Sequence, residues 1–338
     1  MVYQKNGNSM RTGRAGNTDH SSGAAAHDRS GGANAAVSPQ TPPPLVSIIM
    51  PTYNRAGWIL ETIDSIRRQT HACWELLIID DGSDDDTEAL VAGIGDERIL
   101  FFRAGRTGIN GILKNLALQK ARGSLVAFID SDDLWHPAKL ERQVAALEAH
   151  PGAGFSLAGG YNFTGPGKPL DYFYRQRDGA RYGHLFQAIF NSEIAVFIQA
   201  LMMRKACLET TGLFLEKKSF SDADFILSLA RHFPAVVLYE PLVFRRIHEA
   251  NYIHGTWVKS CEEGLALLRS YRNDPLLPRR TLRRALFRAH IRFGEKYLGC
   301  GKRKNAGRQF FNAWLCRPFS IVPWKKAGRL LLTYIRPS

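Results

Sequence analysis

Leu45-Val46-Ser47-Ile48-Ile49-Met50 decides the fold. A run this short and this continuously apolar describes a strand buried on both faces, as in a parallel sheet. Apolar residues at helical spacing follow it, at Ile59, Ile63 and Ile66 within 55–70. The alternation then repeats. Trp74-Glu75-Leu76-Leu77-Ile78-Ile79, Arg98-Ile99-Leu100-Phe101-Phe102 and Leu125-Val126-Ala127-Phe128-Ile129 read as three more strands. Helices are expected over 84–92, 111–121 and 137–150: acidic residues open the first, Gly123 follows the second and Pro137 starts the third. Strands alternating with helices form βαβ units with right-handed crossovers, so the fold class is α/β with a doubly wound, mostly parallel sheet. Residues 151–254 are less regular. Short strands near 154–161, 195–203 and 235–239, with a helix over 221–231, continue the sheet in a mixed fashion.

The chain has 338 residues, 45% hydrophobic and 22% charged, which fits a soluble globular protein of one large or two smaller domains. It excludes a collagen, a wholly disordered chain and a small disulfide scaffold. No apolar run approaches the roughly eighteen residues of a transmembrane helix. Cys73, Cys207, Cys261, Cys300 and Cys316 are scattered without a CxxC pair, which reads as free thiols in a reducing cytoplasm. The net charge of +14 is uneven: residues 255–338 hold 19 Lys or Arg against 4 Asp or Glu, and the rest hold 26 against 27. A neutral body with a basic tail is not the pattern of a uniformly basic nucleic-acid binder, and no nucleic-acid partner is expected. Residues 1–44, rich in Gly, Ala, Ser, Asn and Thr and ending in Pro42-Pro43-Pro44, read as a disordered leader without the apolar core of a signal peptide.

In open α/β sheets, ligands bind beyond the carboxyl ends of the strands. Pro51-Thr52-Tyr53-Asn54 follows the first strand, Asp80-Asp81-Gly82-Ser83 the second and Asp130-Ser131-Asp132-Asp133 the fourth. Taken singly, Asp81-Gly82 is a common turn pair and Asp130 or Asp132 a cap for the helix at Pro137. Taken together, carboxylates massed on one sheet edge call for a divalent cation. Mg²⁺ or Mn²⁺ held by one or two of them completes its shell with waters and phosphate oxygens, which points to a nucleotide substrate. Neither the GxGxxG nor the GxxxxGK[ST] phosphate loop is present.

Three stretches, Val46 through Arg55, Ile79 through Ser83 and Phe128 through Trp135, closely resemble the family 2 glycosyltransferases of GT-A fold in both letters and spacing, over about residues 45–250. The resemblance implies metal-dependent, inverting transfer from a nucleotide-diphospho-sugar, UDP-sugars favoured, to a hydroxyl of a glycan or lipid-linked acceptor. Surface polysaccharide, lipopolysaccharide or glycoconjugate synthesis is the implied setting. Carried over position by position, Pro51 and Tyr53 line the nucleobase pocket and Asp81 accepts a hydrogen bond from the base. Asp130 faces the ribose or the metal's waters, and Asp132 is the metal ligand. Residues 108–115 are similar to the family's Gly-x-x-x-x-Ala-Arg-Asn stretch, with Lys114 in the arginine's place as a point charge toward the diphosphate. Phe220-Ser221-Asp222-Ala223-Asp224-Phe225 resembles Glu-Asp-x-Asp-[Leu/Phe], which makes Asp222 the general base and puts Ser221 where a glutamate is usual. Arg246-Ile247-His248 resembles an Arg-x-His segment whose histidine touches the metal or the diphosphate.

The expected organisation is therefore a leader over 1–44, a GT-A domain over 45–254 with its acceptor side from 151, and a basic helical region over 255–338. In that region Arg284, Arg288, Arg292 and Lys296 recur every four residues, and 324–336 is a second basic amphipathic candidate. Such helices lie in the headgroup layer of anionic membranes or pack on the protein with a solvated basic face. The expected location is cytoplasmic, peripheral on the inner face of the cell membrane. Two other readings are a sugar-nucleotide nucleotidyltransferase, which would carry a glycine-rich loop after the first strand, and a non-catalytic protein binding through its basic tail.

Overall fold

The expected strands β1 (Val46–Thr52), β2 (Trp74–Asp80), β3 (Ile99–Arg103) and β4 (Leu125–Phe128) all form, in a computed structural model that describes residues 42–165, 169–174, 179–217, 220–248 and 253–326. The expected leader, save its last residues, and most of the 324–336 segment lie outside these residues. Between the strands run α1 (Ile59–Arg67), α2 (Thr87–Ala92) and α3 (Asn110–Lys120). β5 (Leu134–Trp135) and α4 (Lys139–Ala149) come next, then β6 (Phe155–Phe163), β7 (Pro169–Tyr172) and β8 (Ala180–Gly183). The chain continues through α5 (Phe186–Phe190), β9 (Leu201–Arg204), α6 (Leu208–Thr211), α7 (Ser221–His232) and β10 (Ala235–Arg246). Three helices, α8 (Ile253–Ser270), α9 (Arg279–Gly299) and α10 (Arg303–Cys316), complete it.

The strands join one sheet in the order β3-β2-β1-β4-β9-β6-β10-β5, with β7 beside β6 and β8 beside β10. β3, β2, β1 and β4 are parallel, β9 is antiparallel to both its neighbours, and β6 and β10 are parallel to each other. The apolar run of β1 explains why the sheet is covered twice. Ile49 packs with Leu77, Phe128 and Leu113 of α3 on one face. Val46, Ile48 and Met50 pack with Ile59 and Ile63 of α1 and Leu140 of α4 on the other. The expected strand over 195–203 is shorter than its pattern: Ile198–Ala200 is a 3₁₀ turn, and pairing begins only at Leu201.

The order reverses about β1, since β2 lies on one side of it and β4 on the other. Pairing with β2 continues to Thr52, but pairing with β4 stops at Ile49. Pro51 therefore stands where one side of β1 has lost its neighbour, and its missing N–H interrupts no ladder there. This opening is the switch point at which open sheets receive ligands.

The opposite end of the sheet is closed by a buried carboxylate. Glu75 accepts from Ser47 Oγ at 2.7 Å, the Arg122 amide at 2.7 Å and Arg122 Nε at 2.7 Å. Burial alone would raise the Glu75 carboxyl, but these donors outweigh it and hold the group below its ordinary range. A depressed folded value stabilises above the unfolded value of 4.5 and loses that contribution as the pH falls through the folded one. Glu75→Gln is expected to cost about 1–3 kcal/mol at neutral pH in urea unfolding, with the difference from the parent shrinking below pH ~4.

Candidate active site

Three polar clusters meet at the switch point. After β2, the turn Asp80-Asp81-Gly82-Ser83 is self-bonded: Asp80 accepts from the amides of Gly82 at 3.1 Å and Ser83 at 2.8 Å. Gly82 has φ +80°, and a Cβ there would come within 3.2 Å of the Arg106 amide, so both conformation and space call for glycine. Asp81 is turned the other way, and its carboxylate is enclosed by the loop after β3. It accepts from the Thr107 amide at 2.6 Å, Thr107 Oγ1 at 2.7 Å, the Gly108 amide at 2.9 Å and the guanidinium of Arg106. That guanidinium also lies 3.6 Å from the centre of the Tyr53 ring. Tyr53 and Asp81 thus form one pocket wall, joined by Arg106.

The second cluster follows β4. Asp132 Oδ2 lies 3.0 Å from His248 Nε2 and 3.3 Å from Arg55 Nε. The His248 ring stacks on Trp58, with centroids 4.3 Å apart. Arg246 donates through Nε to the Asp132 carbonyl at 2.9 Å and pairs with Glu61 at 2.6 Å. Gln199 bridges the remaining two carboxylates, donating to Asp130 at 2.9 Å and Asp133 at 2.7 Å. Burial, together with the neighbouring carboxylates, raises Asp130 to about 6 against the opposing charges of Lys114 and Arg245. Burial and the charges of Asp130 and Asp132 also push Asp133 well above the ordinary carboxylate range.

The third cluster crosses from α3 to α7. Lys114 is fully buried, and its ammonium donates to Asp222 Oδ1 at 2.6 Å. Asp222, in the first turn of α7, is 39% exposed at its side chain and meets Lys114 through Oδ1. Ser221 beside it is buried, its hydroxyl without a hydrogen-bond partner. Asn115 clamps the backbone of Phe214 through two bonds of 2.9 Å, one donated and one accepted. Gly111 allows the approach, since a Cβ there would lie 2.5 Å from the Leu215 carbonyl oxygen.

Pro51, Tyr53, Asp81, Asp130, Asp132, Asp222 and His248 therefore all gather around this opening. Lys114 gathers there too, with its ammonium on Asp222. Asp130, Asp132, Asp222 and Lys114 are close enough for their charges to act on one another. Sequence reasoning did not single out Arg55, Arg106, Gln199 or Arg245, and it read Trp58 as packing more than as a substrate platform. Arg106 was within reach of the rule about strand ends, because its loop follows β3; Gln199, in an irregular stretch, carried no signal.

Among the described residues, no group of three or more His, Cys, Asp or Glu side chains surrounds a common metal position. Asp132 and His248 still fit a hard divalent ion. An oxygen and a nitrogen 3.0 Å apart have the spacing of adjacent ligands around an octahedral ion with bonds of about 2.1 Å.

Residues 47–209 match the family model of Glycosyl transferase family 2. Over this stretch the chain carries a domain of this glycosyltransferase family. Among its relatives, the putative teichuronic acid biosynthesis glycosyltransferase TuaG of Bacillus subtilis (strain 168) is 37% identical over 141 residues, 41% of this chain and 56% of TuaG. WfgD of Escherichia coli, named a UDP-Glc:alpha-D-GlcNAc-diphosphoundecaprenol beta-1,3-glucosyltransferase, is 45% identical over 104 residues, 30% of this chain and 41% of WfgD. The matched stretch thus spans about half the length of these relatives or less. In fold, the chain is similar to Staphylococcus aureus TarS 1-349, solved with UDP-GlcNAc, at TM-score 0.62 and 22% identity over 79% of this chain and 81% of that one. It is also similar to the mannosyltransferase PcManGT of Pyrobaculum calidifontis, solved with GDP-Man and Mn²⁺, at TM-score 0.56 and 20% identity over 86% and 81%. The architecture is accordingly the GT-A fold.

The Asn115 clamp ties α3 to the segment leading into α7. Asn115→Ala leaves the Phe214 N–H and C=O unsatisfied in the interior and is expected to cost about 2–3 kcal/mol, read from the shift of the urea midpoint at unchanged slope.

Proposed function

We propose that this chain transfers a sugar, with inversion, from a nucleotide-diphospho-sugar to a hydroxyl of a glycan or lipid-linked acceptor, in the building of a polysaccharide or glycoconjugate. The observation that carries this reading is the meeting of Asp81, the Asp132–His248 pair and Asp222 at one opening beyond β1, β2 and β4. A UDP-sugar is the favoured donor, supported by the UDP-GlcNAc in the TarS structure and the UDP-Glc in the name of WfgD. A diphosphoundecaprenol-linked acceptor in that same name supports a lipid-linked acceptor at a membrane.

In this reading Tyr53 and Pro51 flank the nucleobase, and Asp81 takes a hydrogen bond from it in place of one it now receives from Arg106 or the 107–108 amides. Asp130 meets the ribose. Asp132 and His248 hold Mg²⁺ or Mn²⁺, with Arg55 close by as a cation for phosphate oxygens. A bound divalent ion would offset the negative charge that grows on the departing diphosphate. Asp222 takes the proton of the acceptor hydroxyl through the oxygen that Lys114 leaves unbonded, as that hydroxyl attacks the anomeric carbon. Lys114 fixes the other oxygen and so orients the carboxylate, a positioning role in place of direct donor contact.

A thermal-shift series with UDP-, GDP-, CMP- and dTDP-sugars tests the donor side. A sugar nucleotide raises the melting temperature with Mn²⁺ present, and Asp132→Ala loses the Mn²⁺-dependent part of that rise. On the acceptor side, Asp222→Asn lowers kcat by about 10²–10⁴-fold, measured as UDP release, with its donor-dependent thermal shift retained. Parental turnover by that variant discards Asp222 as the base, and pyrophosphate in place of UDP as the product identifies a nucleotidyltransferase.

A further inference from the structure

In the basic stripe read from the sequence, Arg288 is half-buried and donates to the Asn191 carbonyl, Arg284 lies 3.6 Å from Glu193, and Arg284, Arg292 and Lys296 are exposed. A second exposed surface is on α10. Ala306, Phe310 and Ala313 are its buried stripe, and the first two pack with Tyr297 of α9. Lys304, Arg308, Phe311 and Leu315 are exposed at the spacing i, i+4, i+7, i+11, a second stripe along the opposite side.

This second stripe begins cationic and ends apolar, and the chain beyond it extends the apolar end. Phe311 and Leu315 are 52% and 51% exposed, Ile321 and Trp324 62% and 57%, and Phe319 is fully in solvent. The rings connect: Phe311 lies 5.8 Å from Trp314, and Trp314 lies 6.0 Å from Trp324. Such a continuous apolar surface on a soluble chain marks a contact site. Its cationic end borders a cavity of about 350 Å³ between α8, α9 and α10. Arg269, Lys304 and Arg308 line that cavity with neutral amides such as Gln309, against one carboxylate, Glu262. After Glu295 the sequence holds ten Lys or Arg and no Asp or Glu.

We propose that this surface docks on an anionic lipid bilayer, with Phe319, Ile321 and Trp324 entering the headgroup–acyl boundary and the Arg269–Lys304–Arg308 cavity receiving a lipid phosphate. Charge selects this occupant. A second copy would bring the same unbalanced cations against themselves, whereas an anionic bilayer offers phosphates beside an apolar layer. Phe319 and Ile321 stand on a short exposed segment between Pro318 and Pro323, with Trp324 directly after it. This deepens the membrane-acceptor reading above and rests on it for its purpose, but the docking itself involves no donor, metal or acceptor.

Sedimentation of the full chain with vesicles tests it without any substrate, so its outcome is separate from that of the transfer assays. Binding to phosphatidylcholine vesicles containing a third phosphatidylglycerol is expected to be roughly tenfold or more tighter than to pure phosphatidylcholine. The combined substitution Phe319→Ser, Ile321→Ser and Trp324→Ser is expected to weaken binding to the anionic vesicles by about tenfold or more. Lys304→Glu with Arg308→Glu is expected to remove the preference for them. All five positions are exposed, so parental melting curves in both variants confirm intact folding. Parental binding by both variants, equal binding to neutral vesicles, or a dimer in sedimentation equilibrium that the triple substitution dissolves would overturn the proposal.

Discussion

Four carboxylates, Asp130, Asp132, Asp133 and Asp222, are held within reach of one another at the end of an apolar sheet, and the site is organised around containing their repulsion. The protein uses three devices. Gln199 supplies one amide to two acids, Arg55 and His248 stand against Asp132, and the buried Lys114 answers Asp222. Each device comes from a different part of the chain, so crowding the charges also fixes the loops that carry them. The raised Asp130 and Asp133 record what burial and mutual repulsion leave uncompensated. Additional positive charge is what such a pocket most favours.

The parallel half of the sheet was readable because burial on both faces leaves unbroken apolar runs, and four of them alternate with helical spacing. The site was readable to the extent that strand ends concentrate polar residues: Tyr53, Asp81, Asp130 and Asp132 all sit where that rule puts them. The antiparallel half was harder for physical reasons. β7 and β8 are exposed along almost their whole length and carry no apolar alternation. β5 has two residues, and β10 bends through register shifts around Pro241. The contact of Lys114 with Asp222 was hidden because a motif position gives a residue's neighbourhood along the chain, not the carboxylate 108 residues away that it reaches.

Basic residues at four-residue spacing on α9 describe a helix face but do not say which way it turns. Here Arg288 reaches the Asn191 carbonyl and Arg284 lies near Glu193, both on a distant segment, while Arg292 and Lys296 remain exposed. On α10 the apolar pattern is doubled, one stripe inward and one outward, and periodicity alone cannot separate them.

The last helices are also not an appendage. Leu267, Leu277 and Ala285 belong to the same apolar cluster as Leu113 and Phe225, beneath the site. A chain ending after β10 would leave that cluster facing water along one side. The sheet and α8 therefore share one apolar core, and the last helices help to cover the floor on which the carboxylates stand.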